Sequence, residues 1–490
     1  MCNFFRITHI YNQNSCIMDR RSFIKKSAAA AAGISIIPAH VLGGALHTAP
    51  SDTVYMAGIG VGGRGLGVLK GLRNTGQVKF VALVDVSDKQ GAKAYELEPG
   101  AKRYRDFRRI YDKHLGELDA IFCATPDHTH AVTSLPFMRA GKHAFVEKPL
   151  THTIVEARMM AKVAKEQGLV TQMGDVGASS DGIRTAQEII ESGMIGAVNK
   201  VDCWTNRPVW PQGLQPPTEA EAVPDYLDWD LWLGPAAARD YNSRYLPFKW
   251  RGFWDFGTGA LGDMGCHIME TPYRAMGLGY PTSAEASCTT MWAGDFIEAD
   301  YQGVCPPSAV VRLTFEHTAY GTVKLNWYDG GLMPERPALL PKDDMPGNWD
   351  GGSVFYGSKG ILVTDTYSRN PRIYMEDGSQ PSLPNKTLIR VAGDTEGHIA
   401  NFVDGILGKV ETSSPFSSSG PLTEAVLMGN LAIKAYQEKH LKPGKKTTDW
   451  APYEYPGRTR LNWDGANMKI TNYEAANRWV GKGYREGWNI

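Results

Sequence analysis

TVYMAGIGVGGRGLGVLKGL, residues 53–72, decides the fold. Val54 to Ile59 is a short apolar run with β-branched and aromatic members, the pattern of a buried strand. Gly60-Val61-Gly62-Gly63-Arg64-Gly65 follows at once and fits G-x-G-x-x-G, and a helical stretch starts near Leu66. In such a turn the first glycine permits the bend, the second lets the backbone approach a pyrophosphate, and the third lets the helix pack close to the strand. The free N–H groups and the positive dipole end of the helix then receive the phosphates. A glycine-rich turn by itself says little, but its setting adds to it. A second apolar run, 79–84, ends at Asp85, and an acid there accepts hydrogen bonds from ribose hydroxyls and repels a 2′-phosphate. NAD is therefore expected over NADP. Arg64 pulls the other way, since it could lie over the adenine or reach a 2′-phosphate.

Further strands follow at 118–123, 143–146 and 169–173, with helices at 129–140 and 154–167 between them. Strand and helix in regular alternation indicate a doubly wound parallel sheet, the Rossmann arrangement of an α/β fold. Its ligands lie beyond the carboxyl ends of the strands. Thr125, Pro126, His128, His130, Glu147 and Lys148 fall there, and they join Gly60, Gly62, Gly63, Arg64, Gly65 and Asp85 as candidate cofactor contacts. Short alternating runs at 309–315, 321–327, 352–356 and 360–364 suit strands with one wet face.

A chain of 490 residues exceeds one ordinary core and points to two domains. Lys plus Arg and Asp plus Glu both total 52, so no global charge draws the chain to nucleic acid or an anionic membrane. The seven cysteines show no CxxC or Cys/His spacing, so no metal site is expected. Residues 19–44 read DRRSFIKKSAAAAAGISIIPAHVLGG: two arginines, then an apolar run too short to span a bilayer. This resembles a twin-arginine export signal starting at Met18. The resemblance implies a leader over 1–50, export of the folded chain to the periplasm, and no stable membrane insertion of the mature protein. A cofactor would then be loaded before export and held tightly.

Four blocks carry a wider resemblance: GVGGRG at 60–65, ATPDHTHA at 124–131, EKP at 147–149 and GALGDMGCH at 259–267. In this order they resemble the Gfo/Idh/MocA oxidoreductases, over about residues 52–440. The tail from Leu461, LNWDGANMKITNYEAANRWVGKGYREGW, resembles the C-terminal extension of an exported bacterial subgroup. The resemblance implies a Rossmann domain over 51–172, a substrate and oligomerisation domain over 173–440 built on a large, open, mainly antiparallel sheet, and an extension over 441–490. It also implies a homo-oligomer, and a catalytic set of Lys148, Asp263 and His267.

The chemistry of those residues agrees. Pro149 keeps Lys148 out of helical conformation at a strand end, where its ammonium can stabilise a developing alkoxide. Asp263 and His267 are spaced i, i+4 and share one helix face. A cleft histidine is a natural proton acceptor when a secondary alcohol becomes a ketone, and Asp263 is expected to orient its imidazole or to touch the sugar. Aromatic residues crowd 204–254, as they do where sugar C–H faces meet flat rings. Trp210, Arg251 and Trp254 are the candidate substrate contacts there. Asp175 joins them, because it stands after Gln172-x-Gly174 where relatives often carry Asn, in a segment the resemblance places by the nicotinamide. The expected function is NAD-dependent hydride transfer to or from a secondary hydroxyl of a sugar, sugar derivative or glycoside. Two alternatives stay open: an NAD-dependent glycoside hydrolase working by transient C3 oxidation and elimination, and a non-catalytic cofactor-binding protein.

Overall fold

The glycine turn joins β1 (Val54–Ile59) to α1 (Arg64–Asn74). The computed structural model describes residues 52–490, so the expected leader lies outside the described residues. The chain continues through β2 (Val78–Val84), α2 (Asp88–Leu97), β3 (Lys102–Tyr104), α3 (Arg108–His114), β4 (Ala120–Cys123), α4 (His130–Arg139), β5 (His143–Val146), α5 (Ile154–Glu166) and β6 (Thr171–Met173). These six strands form one sheet in the order β3-β2-β1-β4-β5-β6, and every neighbouring pair is parallel. Parallel strands need crossover connections, and helices on both faces leave the central strands apolar and buried. AIFC in β4 is buried at all four positions. The strand order reverses between β1 and β4, and the crevice at such a switch point is where ligands bind.

α6 (Asp181–Glu191) leads into β7 (Val198–Thr205), an insert holding α7 (Trp229–Leu233), and α8 (Gly259–Met276). Then come β8 (Ser283–Cys288), a ribbon of β9 (Trp292–Gly294) and β10 (Ile297–Glu298), β11 (Ala309–His317), β12 (Gly321–Tyr328), β13 (Gly351–Gly357), β14 (Gly360–Asp365) and β15 (Arg372–Met375). α9 (His398–Ile406) and α10 (Phe416–Gln437) precede a second ribbon, β16 (His440–Leu441) with β17 (Tyr453–Glu454), and the short strands β18 (Leu461–Asp464) and β19 (Lys469–Ile470). The second sheet has nine strands in the order β15-β14-β13-β7-β12-β11-β8-β18-β19. Only the β7–β12 pair is parallel, so the sheet is mixed and mainly antiparallel. β11 alternates buried and accessible residues along AVVRLTFEH, which gives one covered and one wet face.

α8 and α10 pack together, α10 against β8 and β11 and α8 against β13 and β7, and α9 returns to pack on α1. The tail does not stand apart: β18 pairs with β8, and the Val480 carbonyl oxygen farther on accepts from the Val155 N–H of α5 at 3.2 Å. Among the described residues no helix is long and apolar enough to cross a membrane.

Candidate active site

Two glycines show why the turn is built as it is. Gly60 has φ +76°, and a Cβ there would lie 2.8 Å from the Thr125 backbone nitrogen. A Cβ on Gly65 would lie 1.8 Å from the Gly60 carbonyl oxygen. The turn, the start of α1 and the tip after β4 are thus pressed together. Gly63 caps α1 without any side-chain hydrogen bond; the Gly65 N–H donates to the Gly62 carbonyl oxygen at 2.9 Å, and the other first-turn N–H groups are left for a ligand. They open on a cleft of 770 Å³ lined by Gly60, Gly62, Gly63, Asp85, Thr125, Pro126, Glu147, Lys148, Arg251, Asp263 and His267. Bare backbone, uncapped helix N–H groups and an acid after β2 fit a dinucleotide.

Asp85 braces this turn. Its Oδ2 accepts from the Gly62 N–H at 2.9 Å and its Oδ1 from the Ser87 N–H at 2.9 Å. Burial pushes the carboxyl up to about 6, against the pull of those N–H groups. Arg64 also lines the cleft, but it turns away from the β2 end expected of it: its Nε donates to Glu147 Oε1 at 2.8 Å, at the tip of β5. His128 and His130 depart from expectation as well. Neither lines the cleft, and both are buried. His130 bonds the carbonyl oxygens of Pro149 and Thr125, both at 2.9 Å, and His128 Nε2 lies 3.2 Å from the Trp232 carbonyl oxygen. The short helical turn at Asp127–Thr129 aims their rings inward, where they tie loops together by satisfying buried carbonyls.

α8 presents Asp263 and His267 to the cleft one turn apart. Lys148 Nζ donates to the Asp263 carbonyl oxygen at 2.6 Å and to its Oδ1 at 2.7 Å, and Arg251 Nε reaches the same Oδ1 at 3.4 Å. Burial raises the Asp263 carboxyl, but Lys148 and Arg251 outweigh it and hold it at about 2. With two cations on it, Asp263 does not orient the imidazole. Asp175 does: its Oδ1 lies 2.6 Å from His267 Nδ1. This also corrects the place of Asp175, which is fully buried behind His267 and does not line the cleft. Burial pushes Asp175 up to about 7, offset in part by the Gly177 N–H. Burial, with Lys148 acting in the same sense, pushes His267 down to about 3. The imidazole is therefore neutral, with Nδ1 on Asp175 and Nε2 without a protein hydrogen bond among the described residues.

The indoles expected at the substrate are displaced. Trp210 and Trp254 are buried, do not line the cleft, and spend their N–H groups on Gln212 Oε1 at 3.1 Å and Gln437 Oε1 at 3.2 Å. A buried indole needs such an acceptor, and these two find theirs inside the protein. Trp232, Trp250 and Trp488 line the cleft instead. Tyr367, which no motif announces, lines it too, with its ring 4.8 Å from that of His267 in an edge-on contact. Its φ of 62° is left-handed, uncommon for a bulky side chain.

A parallel sheet with a glycine turn at its switch point, facing a lysine and a neutral histidine across one cleft, is an arrangement that dinucleotide-dependent oxidoreductases share. Residues 54–175 match the family model described as oxidoreductase family, NAD-binding Rossmann fold, and residues 180–277 match that family's C-terminal α/β domain. Residues 54–277 thus match both domains of the Gfo/Idh/MocA oxidoreductase family. Among curated relatives, 1,5-anhydro-D-fructose reductase of Ensifer adhaerens is 31% identical over 130 residues, covering 26% of this chain and 38% of that one. Levoglucosan dehydrogenase of Pseudarthrobacter phenanthrenivorans is 28% identical over 166 residues, 34% of each chain. These matches span little more than a third of the relatives' length. In fold the chain resembles the WlbA dehydrogenase from Bordetella pertussis, solved in complex with NADH and UDP-GlcNAcA, at 15% identity and a TM-score of 0.54, covering 78% of this chain and 97% of that one.

Proposed function

We propose that this chain is an NAD-dependent oxidoreductase acting on a secondary hydroxyl of a sugar, sugar derivative or glycoside. The observation that carries this is the convergence of Lys148 and His267 on the cleft that the glycine turn opens. A bound nicotinamide would supply the hydride acceptor, or the donor in the reverse direction. Gly60, Gly62, Gly63 and the first N–H groups of α1 would hold its pyrophosphate, and Asp85 its adenosine ribose. A 2′-phosphate would bring a second negative charge against Asp85, which favours NAD.

An ammonium has three N–H donors, and Asp263 takes two from Lys148. The third is left to hold the substrate oxygen and to stabilise it as its proton leaves. His267 Nε2 takes that proton, and Asp175 steadies the ring from behind. Arg251, anchored on Asp263, can donate to neighbouring hydroxyls or a carboxylate. Trp232 and Trp250 offer apolar faces to a sugar ring. The carbohydrate names of the two curated relatives support that substrate class. The expected twin-arginine leader supports export to the periplasm with the cofactor already seated, and the open second sheet suits a homo-oligomer.

The test is to denature the purified protein, identify the released nucleotide, and screen sugars and glycosides for keto products formed with NADH. Absence of both nucleotide and keto product sinks the proposal. Aglycone release without net NADH moves the function to the hydrolase alternative.

A further inference from the structure

Trp488 lies far downstream of the Rossmann strands, yet it lines the nucleotide cleft. Its indole sits 6.2 Å from the ring of Phe107, a cleft residue just after β3, and the Arg108 guanidinium lies 5.0 Å from it. A Cβ added to Gly234 would meet Trp488 Cζ3 at 3.7 Å and Thr129 Cγ2 at 2.8 Å. The indole thus fills the gap between the Rossmann loops and the insert.

The segment bearing it is fastened at several points. Lys482 Nζ donates to the His128 carbonyl oxygen at 2.9 Å and pairs with Glu156 at 3.0 Å. The Tyr484 hydroxyl donates to the same buried Glu156 at 2.9 Å. Arg485 donates from Nε to the Gly234 carbonyl oxygen at 3.1 Å and pairs with Asp230. Its backbone N–H reaches the Pro235 carbonyl oxygen at 3.1 Å. A segment tied to both the Rossmann helix α5 and the insert is a fixed wall.

The sheet order tells which end of the cleft it closes. Phe107 follows β3, at one edge of the sheet, whereas Lys148 follows β5 on the other side of the glycine turn. Asp85, after β2, lies between the turn and Phe107. Through Phe107, Trp488 therefore stands against the loop after β3, in the half of the sheet that also carries the acid that would hold the adenosine ribose.

We propose that residues 482–488 complete the nucleotide site, with Trp488 contacting the adenine of a bound dinucleotide and slowing its release. The proposal rests on the dinucleotide assignment of the cleft. An aromatic face beside a base offers stacking, and a wall held by Lys482, Tyr484 and Arg485 offers it without ordering a loop at the moment of binding.

The experiment loads the full chain with NADH and follows its fluorescence on displacement by excess ADP-ribose, for the native protein, Trp488→Ala, Trp488→Phe and a chain ended after Gly481. Trp488→Ala is expected to release NADH about tenfold faster or more, to lose ADP-ribose affinity by a like factor, and to bind nicotinamide mononucleotide as before. Trp488→Phe should fall between, and the shortened chain should release at least as fast as Trp488→Ala. Rates and affinities within about twofold of native in Trp488→Ala overturn the proposal and leave the dinucleotide assignment standing. Equal weakening of all three nucleotides also overturns it, because the damage would then be general. An intact chain that binds neither NADH nor ADP-ribose overturns both.

Discussion

His267 Nδ1 lies 2.6 Å from Asp175 Oδ1, and both groups are buried. The pair can be neutral or singly negative, and this decides what Nε2 does. Below about 7 Asp175 keeps its proton and donates it to Nδ1, so the neutral ring carries its own proton at Nε2 and can only give one. Above about 7 Asp175 is ionised, Nδ1 donates to it, and Nε2 presents a lone pair. Alcohol oxidation needs the second form. Its kcat/KM should rise about tenfold per pH unit on the acid side and level off above neutrality, while ketone reduction falls over the same range. Steady-state rates in both directions check this, and an oxidation profile flat through neutrality would remove the pair from the chemistry.

Asp175→Asn separates this role from mere packing. The amide fills nearly the same volume but neither ionises nor supports a developing imidazolium. Turnover should fall about 10- to 100-fold, as for other groups that orient a catalytic histidine, with little change in KM for the sugar. The acid-side rise should vanish from the profile. A variant that loses activity yet keeps that rise would show that Asp175 is only structural.

Lys148 and His267 touch the reacting oxygen in the proposed chemistry, so Lys148→Ala and His267→Ala should each lower turnover by about 10² or more while NADH still binds. Lys148→Ala has a second effect, because it leaves the partly buried Asp263 with only Arg251, at 3.4 Å. Stability should drop by about 3 kcal/mol. Replacing Asp263 by Ala in the same chain should recover part of that stability and none of the activity. Thermal melts beside single-turnover rates tell the two losses apart.

The glycine turn, the parallel order and the pairing of Asp263 with His267 on one face were legible because each rests on local pattern: a turn that needs small residues, alternation at fixed length, and i, i+4 spacing. What each group bonds to was not. Asp263 looked like the imidazole's partner from spacing alone, but Lys148 arrives from another domain and claims it. Asp175 takes the vacated place from a short turn before α6, across 92 residues of sequence. Trp210 and Trp254 belong to an aromatic cluster whose composition does not say which rings face inward. β8, SAEASC, lacks the β-branched run that would mark a strand and owes its form to pairing with β11.

Gly65→Ala tests the turn without touching the chemistry. A Cβ there would lie 1.8 Å from the Gly60 carbonyl oxygen, which is backbone and cannot swing aside. α1 would have to leave β1 and carry its first N–H groups with it. NADH titration should show affinity lost by about 100-fold or more, with stability lowered by about 1–3 kcal/mol. Near-native NADH binding in this variant would mean that α1 does not hold the pyrophosphate.

Tyr367 joins strain to position. Its backbone, at φ 62° and ψ 28°, costs about 1–3 kcal/mol relative to an unstrained conformation. The ring it delivers meets His267 edge-on at 4.8 Å, and burial pushes its phenol pKa up, so the hydroxyl stays protonated at neutral pH. That hydroxyl makes no hydrogen bond to protein among the described residues, although the side chain lines the cleft. Tyr367→Phe keeps the ring and the strain and removes only the hydroxyl, so a substrate contact there would show as a raised KM with kcat largely kept. Tyr367→Gly removes the ring and relaxes the backbone together. It should melt at or above the native temperature despite the lost contacts, while kcat falls because His267 loses the surface that fixes its ring. A glycine variant that is both less stable and fully active would mean that the left-handed conformation is neither strained nor tied to the imidazole.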